Sequence, residues 1–331
     1  MKPASPGASS RPWRSTPTTP RFAAIDIGSD TVHLLIADVP GQAVAGAIDP
    51  VHSESELIEL GRVVDRRGRI TVAAEADVAR TLARMVRRAR KSGATILIAA
   101  TEASRRAANG QAVLGRLSTR VGVPIRLLSP TREAQLGFGG VRPELPVRGE
   151  LVVIDSGGAS TEVSLTRGRA IANAVSLPVG AALLAAALPG DPPAPLDWAL
   201  TSIRIGATLG LLPVGRPRHA FATGGTAHGL LALSGHRYRH GSAQRVDVTV
   251  AQLERTAASL LTRPSARIGA ASGIEPGRVA LLAPGVLILA AILRHYQLDV
   301  FHVLAAGVRE GMIRSAAVDA DGWWLDSSTT V

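Results

Sequence analysis

The sequence contains no cysteine, almost no lysine and few aromatic residues, and each shortage excludes something. With zero cysteines among 331 residues, disulfides, thiol nucleophiles and cysteine-ligated zinc are all excluded. Phe, Trp and Tyr make up only 3% of the chain, so the core must be built mainly from Ala, Val, Leu and Ile. Of the 37 basic residues, only Lys2 and Lys91 are lysines. Arginine therefore supplies nearly all of the positive charge behind a formal net charge of +11.

The excess of arginine has two compatible explanations. A genome-wide bias towards Arg and Ala codons would produce it without any functional role. Arginine side chains also bind phosphate oxygens bidentately, which lysine side chains do not. A protein with a net charge of +11 should attract polyanions, but we predict no specific nucleic-acid partner.

The chain also lacks a long apolar segment. The first 21 residues, MKPASPGASSRPWRSTPTTPR, are rich in Pro, Ser, Thr and Arg and have no continuous hydrophobic run of the signal-peptide type. We predict a disordered basic leader there. No apolar run reaches the roughly 18 residues that a membrane span needs. We therefore expect a soluble, cytoplasmic protein without a membrane partner.

Short apolar runs alternate with helical patterns along the chain. The clearest helical pattern extends from about Val72 to Ser92, has one apolar face from Val78 to Ala89, and stops at Gly93. Strands that alternate with helices predict an α/β fold, and the length fits two domains. The strand-like runs are Phe22–Ile27, Val32–Ala37, Ala94–Ala100, Pro124–Leu128, Leu151–Ile154, Thr161–Leu165, Arg218–Ala222 and Val300–Leu304.

One pattern occurs twice: an apolar strand, Asp, any residue, Gly, a small polar turn and a second strand. Asp26 of the first copy corresponds to Asp155 of the second. A single strand–Asp–Gly turn is usually an ordinary hairpin, but two matched copies predict duplicated domains that face each other across a cleft. The copies are AAIDIGSDTVHLLIADV at Ala23–Val39 and VVIDSGGASTEVSL at Val152–Leu165.

The chemistry of these turns suits a phosphate together with a cation. Glycine allows a turn to expose successive backbone N–H groups to an anion, and Ser or Thr hydroxyls add donors. The carboxylates would repel a bare phosphate, so we predict that they hold Mg²⁺, a hard ion that binds carboxylate and phosphate oxygens. The candidate phosphate-binding residues are Gly28, Ser29, Asp30 and Thr31 in the first turn and Gly157, Gly158, Ala159, Ser160 and Thr161 in the second.

Other common sites do not match the sequence. Neither a Walker-type G-x-x-x-x-G-K-[ST] loop nor a G-x-G-x-x-G turn after a strand is present. The segment HRYRH at His236–His240 offers two histidines at helical spacing, but no nearby acid completes a zinc site. We interpret it as a basic loop.

Four further segments accompany the two turns: ATEASRRAANG at Ala100–Gly110, SPTREAQLGFGGV at Ser129–Val141, ATGGTAHGL at Ala222–Leu230 and GVREGMI at Gly307–Ile313. In this order the six segments resemble the exopolyphosphatase and guanosine pentaphosphate phosphohydrolase family, within the superfamily of actin, Hsp70 and sugar kinases. The resemblance extends from Phe22 to about Ser315. It implies two related actin-like (ribonuclease H-like) domains, with mixed sheets flanked by helices and an active-site cleft between them.

The resemblance also implies roles for individual residues. From the sequence alone, Glu133 lies in the first turn of a helix that begins at Ser129-Pro130, as an ordinary surface glutamate would. The resemblance implies instead that Glu133 is the general base and that Arg105 faces the phosphate chain. It implies a third set of N–H donors at Gly224 and Gly225. The implied Mg²⁺ ligands are Asp155 and Glu162, with Asp26.

Three positions depart from the family pattern. The family usually has Asn at the position of Asp30, glycine at the position of Ala159, and Ser-Asp-Gly at the position of Leu304–Ala306. An added carboxylate at Asp30 would repel phosphate or supply a metal ligand. A methyl group at Ala159 would crowd the anion or strain the turn if φ were positive. Both changes predict weaker turnover in an unchanged fold.

The resulting hypothesis is a two-domain, Mg²⁺-dependent exopolyphosphatase. We place the boundary between residues 145 and 146, inside a Pro/Gly-rich connector, and expect the last helix to pack back on the first domain. Alternatives are a guanosine pentaphosphate phosphohydrolase, a weakly catalytic sensor of polyphosphate or alarmone nucleotide, and an actin-like ATPase or kinase. The sequence leaves the oligomeric state open, a homodimer included. We expect Trp323 and Trp324 to pack on the protein body or on a partner.

Overall fold

The computed structural model describes residues 19–41, 48–146, 148–234 and 246–326. Most of the predicted leader (its first 18 residues) and the HRYRH segment lie outside the described residues. The strands are β1 (Arg21–Ile27), β2 (Thr31–Asp38), β3 (Asp49–Leu57), β4 (Thr95–Ala100), β5 (Ile125–Leu127), β6 (Glu150–Ser156), β7 (Thr161–Arg167), β8 (Ala170–Leu177), β9 (His219–Thr223), β10 (Val246–Thr249) and β11 (Val300–Val303). The helices are α1 (Leu60–Arg67), α2 (Val72–Lys91), α3 (Glu102–Arg106), α4 (Gly110–Val121), α5 (Pro130–Val141), α6 (Ala181–Ala185), α7 (Pro195–Gly206), α8 (Gly224–Leu233), α9 (Val250–Thr262), α10 (Ser265–Ser272), α11 (Pro276–His295) and α12 (Val308–Val318).

Two mixed sheets with the same internal order form the framework. The first sheet runs β3-β2-β1-β4-β5, and the second runs β8-β7-β6-β9-β11-β10. In each, a three-stranded antiparallel meander is followed by two parallel strands. The predicted fold class, two related actin-like units with mixed sheets and flanking helices, is confirmed. The boundary between residues 145 and 146 stays a prediction.

Three strands that the sequence did not predict all lie at sheet edges. They are β3, β8 and β10, and most residues of β3 and β8 are exposed or half-buried. An edge strand of this kind is covered by other elements on no more than one face. Its sequence therefore does not need a continuous apolar run. The eight strand-like runs that the sequence did show became the inner strands of both sheets and the short β5.

Helices cover both sheets and complete their cores. The predicted apolar face of α2, from Val78 to Ala89, is buried against the first sheet. Helix α11 lies in the core of the second sheet. In the part of the chain that the structure describes, α11 has the length and composition of a membrane-crossing helix, but 61% of its apolar window is buried inside the protein. It therefore packs as a core helix.

Helices α5 and α12 cross at close range, and glycine makes the crossing possible. Although α12 follows the last strand of the second sheet, it packs against α5 and β1. A Cβ built on Gly140 would overlap the carbonyl oxygen of Gly307, and one built on Gly311 would overlap the carbonyl oxygen of Leu136. The two backbones therefore touch without side chains between them.

We predict that Gly311→Ala destabilises the protein by about 1–3 kcal/mol, because the added methyl group must push two backbones apart. Chemical denaturation followed by circular dichroism measures this as a lower midpoint. Gly115→Ala is the matched control, since a Cβ at Gly115 in α4 meets nothing within 4 Å. It should leave the midpoint unchanged or raise it. Equal midpoints for the two variants would show that the crossing relaxes freely.

Candidate active site

A cavity of about 550 Å³ lies between the two sheets, and both glycine turns line it. Arg105 and Thr161 are the predicted site residues outside this lining. The hydroxyl of Thr161 is turned away and donates to the carbonyl oxygen of Val179 at 2.8 Å. The predicted residues that line the cavity are Asp26, Gly28, Ser29, Asp30, Thr31, Glu133, Asp155, Gly157, Gly158, Ala159, Ser160, Glu162, Gly224 and Gly225.

The two turns have the same geometry. Gly28 N–H donates to the carbonyl oxygen of Thr31 at 3.1 Å, and Gly157 N–H donates to that of Ser160 at 3.1 Å. The carbonyl oxygen of Gly158 accepts from two N–H groups at the start of α6. Because the C=O and N–H of a trans peptide point in opposite directions, the N–H that follows is directed away from α6. The turn is thus anchored through its carbonyl group and offers an amide to the other side.

The two copies differ opposite the shared aspartate. In the first hairpin Asp26 pairs in register with His33, whereas in the second Asp155 pairs with Glu162. The second hairpin therefore presents two carboxylates side by side. The hydroxyls of Ser160 and Ser176 both donate to Glu162 Oε1, each at 2.8 Å. These bonds fix the orientation of the glutamate.

The aspartates at the strand ends are buried, and burial raises their pKa values. The pKa of Asp26 rises to about 6, opposed by the nearby cation Arg309. Burial, followed by the charges of Glu162 and Asp26, raises the pKa of Asp155 to about 7. The Oδ1 atom of Asp26 is buried without a hydrogen-bond partner. When a buried carboxylate oxygen has no hydrogen-bond donor, a cation bound beside it would stabilise its negative charge.

Glu133 lies on the cavity wall and is held by Arg105. One guanidinium nitrogen of Arg105, Nη1, donates to Glu133 Oε2 at 2.7 Å and to the carbonyl oxygen of Leu128 at 2.8 Å. Burial, followed by the charge of Glu162, raises the pKa of Glu133 to about 8 against the opposing effect of Arg105. A carboxyl group with a pKa in this range can exchange protons near neutral pH.

The acids fit a divalent cation that keeps part of its water shell. Among the residues described, no group of three or more His, Asp or Glu side chains is spaced to hold a metal ion directly. Mg²⁺ commonly binds through one or two carboxylates and several waters, and the unpartnered oxygen of Asp26 beside Asp155 fits that mode. The three predicted ligands are therefore near one another but do not form a closed cage.

Two arginines of this cavity were missed by the sequence reasoning. Arg309, in the first turn of α12, lines the cavity and lowers the pKa values of both aspartates. Arg278 also lines it, and its Nη2 donates to Ser55 Oγ of β3 at 2.9 Å. The signal for Arg309 was present in the sequence, because the GVREGMI segment contains it shortly after the predicted strand Val300–Leu304.

The departures at Asp30 and Ala159 have different structural outcomes. The carboxylate of Asp30 lies against Gly158 of the opposite turn, where a Cβ would overlap it. Burial, followed by the charges of Glu59, Asp65 and Glu102, raises the pKa of Asp30 to about 7. Ala159 is buried, but among the described residues it is not one with positive φ. Its methyl group therefore does not strain the backbone.

Gly224 is required at its position for two reasons. Its φ is +85°, and a Cβ there would overlap the Asp155 carboxylate and the carbonyl oxygen of Ser156. Only glycine combines easy access to a positive φ with the absence of a Cβ. The turn therefore places the first residues of α8 directly against the acidic wall of the cavity.

Sequence and structure comparisons decide the family. The model of the Ppx/GppA phosphatase family matches residues 39–319. The chain belongs to the Ppx/GppA phosphatase family. Exopolyphosphatase 1 of Mycobacterium leprae is 30% identical to it over 91% of this chain and 91% of that protein. Exopolyphosphatase 2 of Mycobacterium tuberculosis is 28% identical over 83% of this chain and 90% of that protein. This Ppx/GppA protein is accordingly a phosphatase, a hydrolase.

Solved structures agree with the fold of this Ppx/GppA protein. The crystal structure of the Aquifex aeolicus family member is 25% identical, with a TM-score of 0.76 over 91% of this chain and 99% of that chain. An exopolyphosphatase from Cytophaga hutchinsonii is 20% identical, with a TM-score of 0.80 over 90% of this chain and 98% of that chain. The second likeness supports the fold alone.

The raised pKa values predict a stability that falls with pH. The folded protein binds protons at Asp26, Asp155 and Glu133 more tightly than the unfolded chain, in which carboxyl groups titrate near pH 4. The free energy of unfolding therefore decreases as the pH rises from about 4 towards the folded values of about 6, 7 and 8. In EDTA we expect Tm to fall by roughly 5 °C or more between pH 6 and 8.5.

Magnesium should reverse this loss, because a cation among the carboxylates favours their charged forms. Differential scanning calorimetry with 10 mM MgCl₂ should restore most of the Tm at pH 8.5 and change little at pH 5.5. Asp155→Asn is the control, with a flatter pH profile and a smaller effect of Mg²⁺. If the Tm of the wild type changes with neither pH nor Mg²⁺ over this range, the buried carboxylates do not limit stability as we expect.

Proposed function

We propose that this protein is an exopolyphosphatase that hydrolyses the terminal phosphate of inorganic polyphosphate with the aid of Mg²⁺. The observation that carries the proposal is Glu133, which Arg105 holds at 2.7 Å from outside the lining and which lies on the wall of a cavity that two glycine turns and a carboxylate cluster also line. The printed name of the Mycobacterium leprae relative, Exopolyphosphatase 1, agrees with this choice.

Glu133 would act as the general base. Its carboxylate accepts a proton from water while the water oxygen forms a bond to the terminal phosphorus. The bond from that phosphorus to the bridging oxygen breaks, and the shortened polyphosphate leaves with the electron pair. Arg105 and the turn amides stabilise the negative charge on the transferred group. Orthophosphate and a chain one unit shorter are the products.

Asp155 and Asp26 would hold the metal, with Glu162 beside them. Ppx/GppA phosphatases are generally metal-dependent, and the choice of Mg²⁺ rests on the all-oxygen donor set. When bound, Mg²⁺ neutralises charge on the phosphate oxygens. Ser160 and Ser176 fix the carboxylate of Glu162 by donating to one of its oxygens, so the group would meet the metal in one orientation.

We predict that Glu133→Gln lowers kcat for orthophosphate release from long polyphosphate by about 10²–10⁴-fold, because glutamine keeps the shape but accepts no proton. Substrate binding should survive. In the wild type, kcat/KM should rise with pH towards the Glu133 pKa of about 8, and the variant should lose this limb.

Glu144→Gln is the matched control, since Glu144 lies just beyond the other end of α5 and does not line the cavity. It should turn over normally. Near-normal turnover of Glu133→Gln would remove this residue from the mechanism.

A second candidate substrate is guanosine pentaphosphate, and one side of the cavity favours it. Beyond the turns, the lining includes the apolar side chains of Ala232, Ile274, Leu281 and Leu282. Polyphosphate has no apolar part to place there, whereas a guanine base does. The same site would then cleave the phosphate end of a nucleotide.

Steady-state kinetics on long polyphosphate, guanosine pentaphosphate and ATP separate these functions. We expect the highest kcat/KM for polyphosphate, and affinity that weakens steeply with salt because several phosphates are neutralised together. Ala232→Phe, which narrows the apolar side, should spare polyphosphate and impair the nucleotide.

Preference for guanosine pentaphosphate in the wild type, lost in Ala232→Phe, would favour the second candidate. Binding of both substrates without hydrolysis would indicate a sensor, and efficient ATP turnover would revive the actin-like ATPase alternative.

A further inference from the structure

Residues 319–326, which follow α12, form an ordered turn that we name the C-terminal clamp. Asp319 Oδ1 accepts from the N–H groups of Asp321 and Gly322, at 3.2 and 2.9 Å. The Trp323 side chain is 5% exposed and packs in the apolar cluster that contains residues of β1, α5 and α12. The clamp is thus fixed both by its own hydrogen bonds and by a buried indole ring.

The clamp satisfies a buried arginine of α5. Arg132 is 8% exposed, and burial lowers its pKa. Its Nε and Nη2 atoms donate to the backbone carbonyl oxygen of Trp323 at 2.9 and 2.6 Å, and Nη2 also donates to Ser315 Oγ at 2.7 Å. A buried guanidinium is costly unless its donors are met. The clamp therefore supplies an acceptor for two of the three guanidinium nitrogens of Arg132.

Two further contacts join the clamp to the corner between β5 and α5. Ser129 Oγ caps α5 by accepting from Arg132 N–H at 2.9 Å, and it donates to Asp326 Oδ1 at 2.5 Å. The guanidinium carbon of Arg126 lies 4.4 Å from the ring centroid of Trp324, within cation–π range. Three residues of this corner are thus held from the side of the clamp.

Glu133 follows Arg132 directly and faces the cavity. Its N–H donates to the carbonyl oxygen of Ser129 at 2.9 Å, so the capped first turn of α5 carries it. Arg105 holds the same corner from the cavity side, through Glu133 Oε2 and the carbonyl oxygen of Leu128. The corner lies between two sets of contacts, one from Arg105 and one from the clamp.

We propose that the C-terminal clamp is a positioning element for Glu133. By fixing Arg132 and Ser129, it sets the position of the first turn of α5, and with it the distance from the Glu133 carboxylate to the attacking water. The proposal rests on the role of Glu133 as general base. A displacement of about 1 Å in a catalytic group can cost about 10²-fold in rate. Substrate binding by the turns is separate, so the effect belongs in kcat rather than KM.

The direct test compares two arginines that make contacts at opposite ends of α5, the buried Arg132 and the half-buried Arg314. Arg132→Met removes the link to the clamp. Arg314→Met removes a half-buried arginine of α12 that donates to the carbonyl oxygen of Gly140 near the other end of α5. Both should lower Tm. We expect Arg132→Met to lower kcat by at least tenfold with KM within twofold, and Arg132→Lys to recover part of it. Arg314→Met should keep kcat within twofold of the wild type.

The pH profile provides a readout that general destabilisation does not move. A loosened Glu133 pairs less well with Arg105, so the rising limb of kcat/KM should shift to higher pH in Arg132→Met and stay in place in Arg314→Met. Folded Arg132→Met protein with normal kcat and an unshifted limb would overturn the proposal. So would equal kcat losses in both variants.

A second variant covers the case in which Arg132→Met does not fold. Asp326 is exposed and Trp324 half-buried, so Asp326→Ala with Trp324→Ala removes two clamp contacts and leaves Trp323 in the core. Its kcat should fall at least threefold, and an unchanged kcat would overturn the proposal. Glu133→Gln, assayed alongside, separates the two hypotheses. An active Glu133→Gln refutes the base itself, whereas an inactive one beside normal clamp variants refutes only the clamp.

Discussion

Carboxylates buried side by side repel one another, and the rest of the cleft is arranged around that repulsion. Asp26, Asp155, Glu162 and Glu133 all have raised pKa values, because burial removes the water that would stabilise their charges. The groups that oppose this repulsion are the cations Arg105 and Arg309 and the hydroxyls of Ser160 and Ser176. Such a site binds protons when empty and should favour a cation together with a phosphate when loaded.

The two duplicated hairpins contribute different numbers of carboxylates to this site. Both turns close with the same hydrogen bond, and both place an aspartate at the end of a central strand. Only the second hairpin adds a glutamate opposite that aspartate, where the first has His33. The repeat therefore supplies two similar turns for binding phosphate. Because only the second hairpin has the added glutamate, the negative charge is concentrated there.

Much of the fold could be predicted because its central strands are apolar and its turns repeat. The paired Asp and Gly positions indicated a duplicated unit and a cleft, and the apolar face of α2 identified its buried side. The edge strand β3 could not be predicted, since its sequence DPVHSESEL has no apolar run. Its neighbour in the sheet, and not its own pattern, makes it a strand.

In the candidate site, too, features set by neighbouring residues could be predicted from the sequence, whereas features set by distant residues could not. The turns could be found because their residues are consecutive in the sequence. The side-chain direction of Thr161 depends on Val179, and the reach of Asp30 depends on the opposite turn. The ordinary backbone of Ala159 shows that a glycine position in a family pattern is not always a conformational requirement. The role of Arg309 could not be predicted, because the acids that it acts on lie more than 150 residues away in the sequence and only the fold brings them near.

The glycine crossing of α5 and α12 has a mechanical consequence. Side chains also join the two helices beside the glycine contacts: Leu136 of α5 lies in one buried apolar cluster with Met312 of α12, and Arg132 of α5 donates to Ser315 Oγ of α12. The crossing therefore ties α5 and α12 together through both backbone and side chains. Helix α5 also packs its Phe138 and Val141 into an apolar cluster with strands of the second sheet. The helix that carries Glu133 is thus anchored on two sides, so a displacement of α5 would have to separate two packed surfaces.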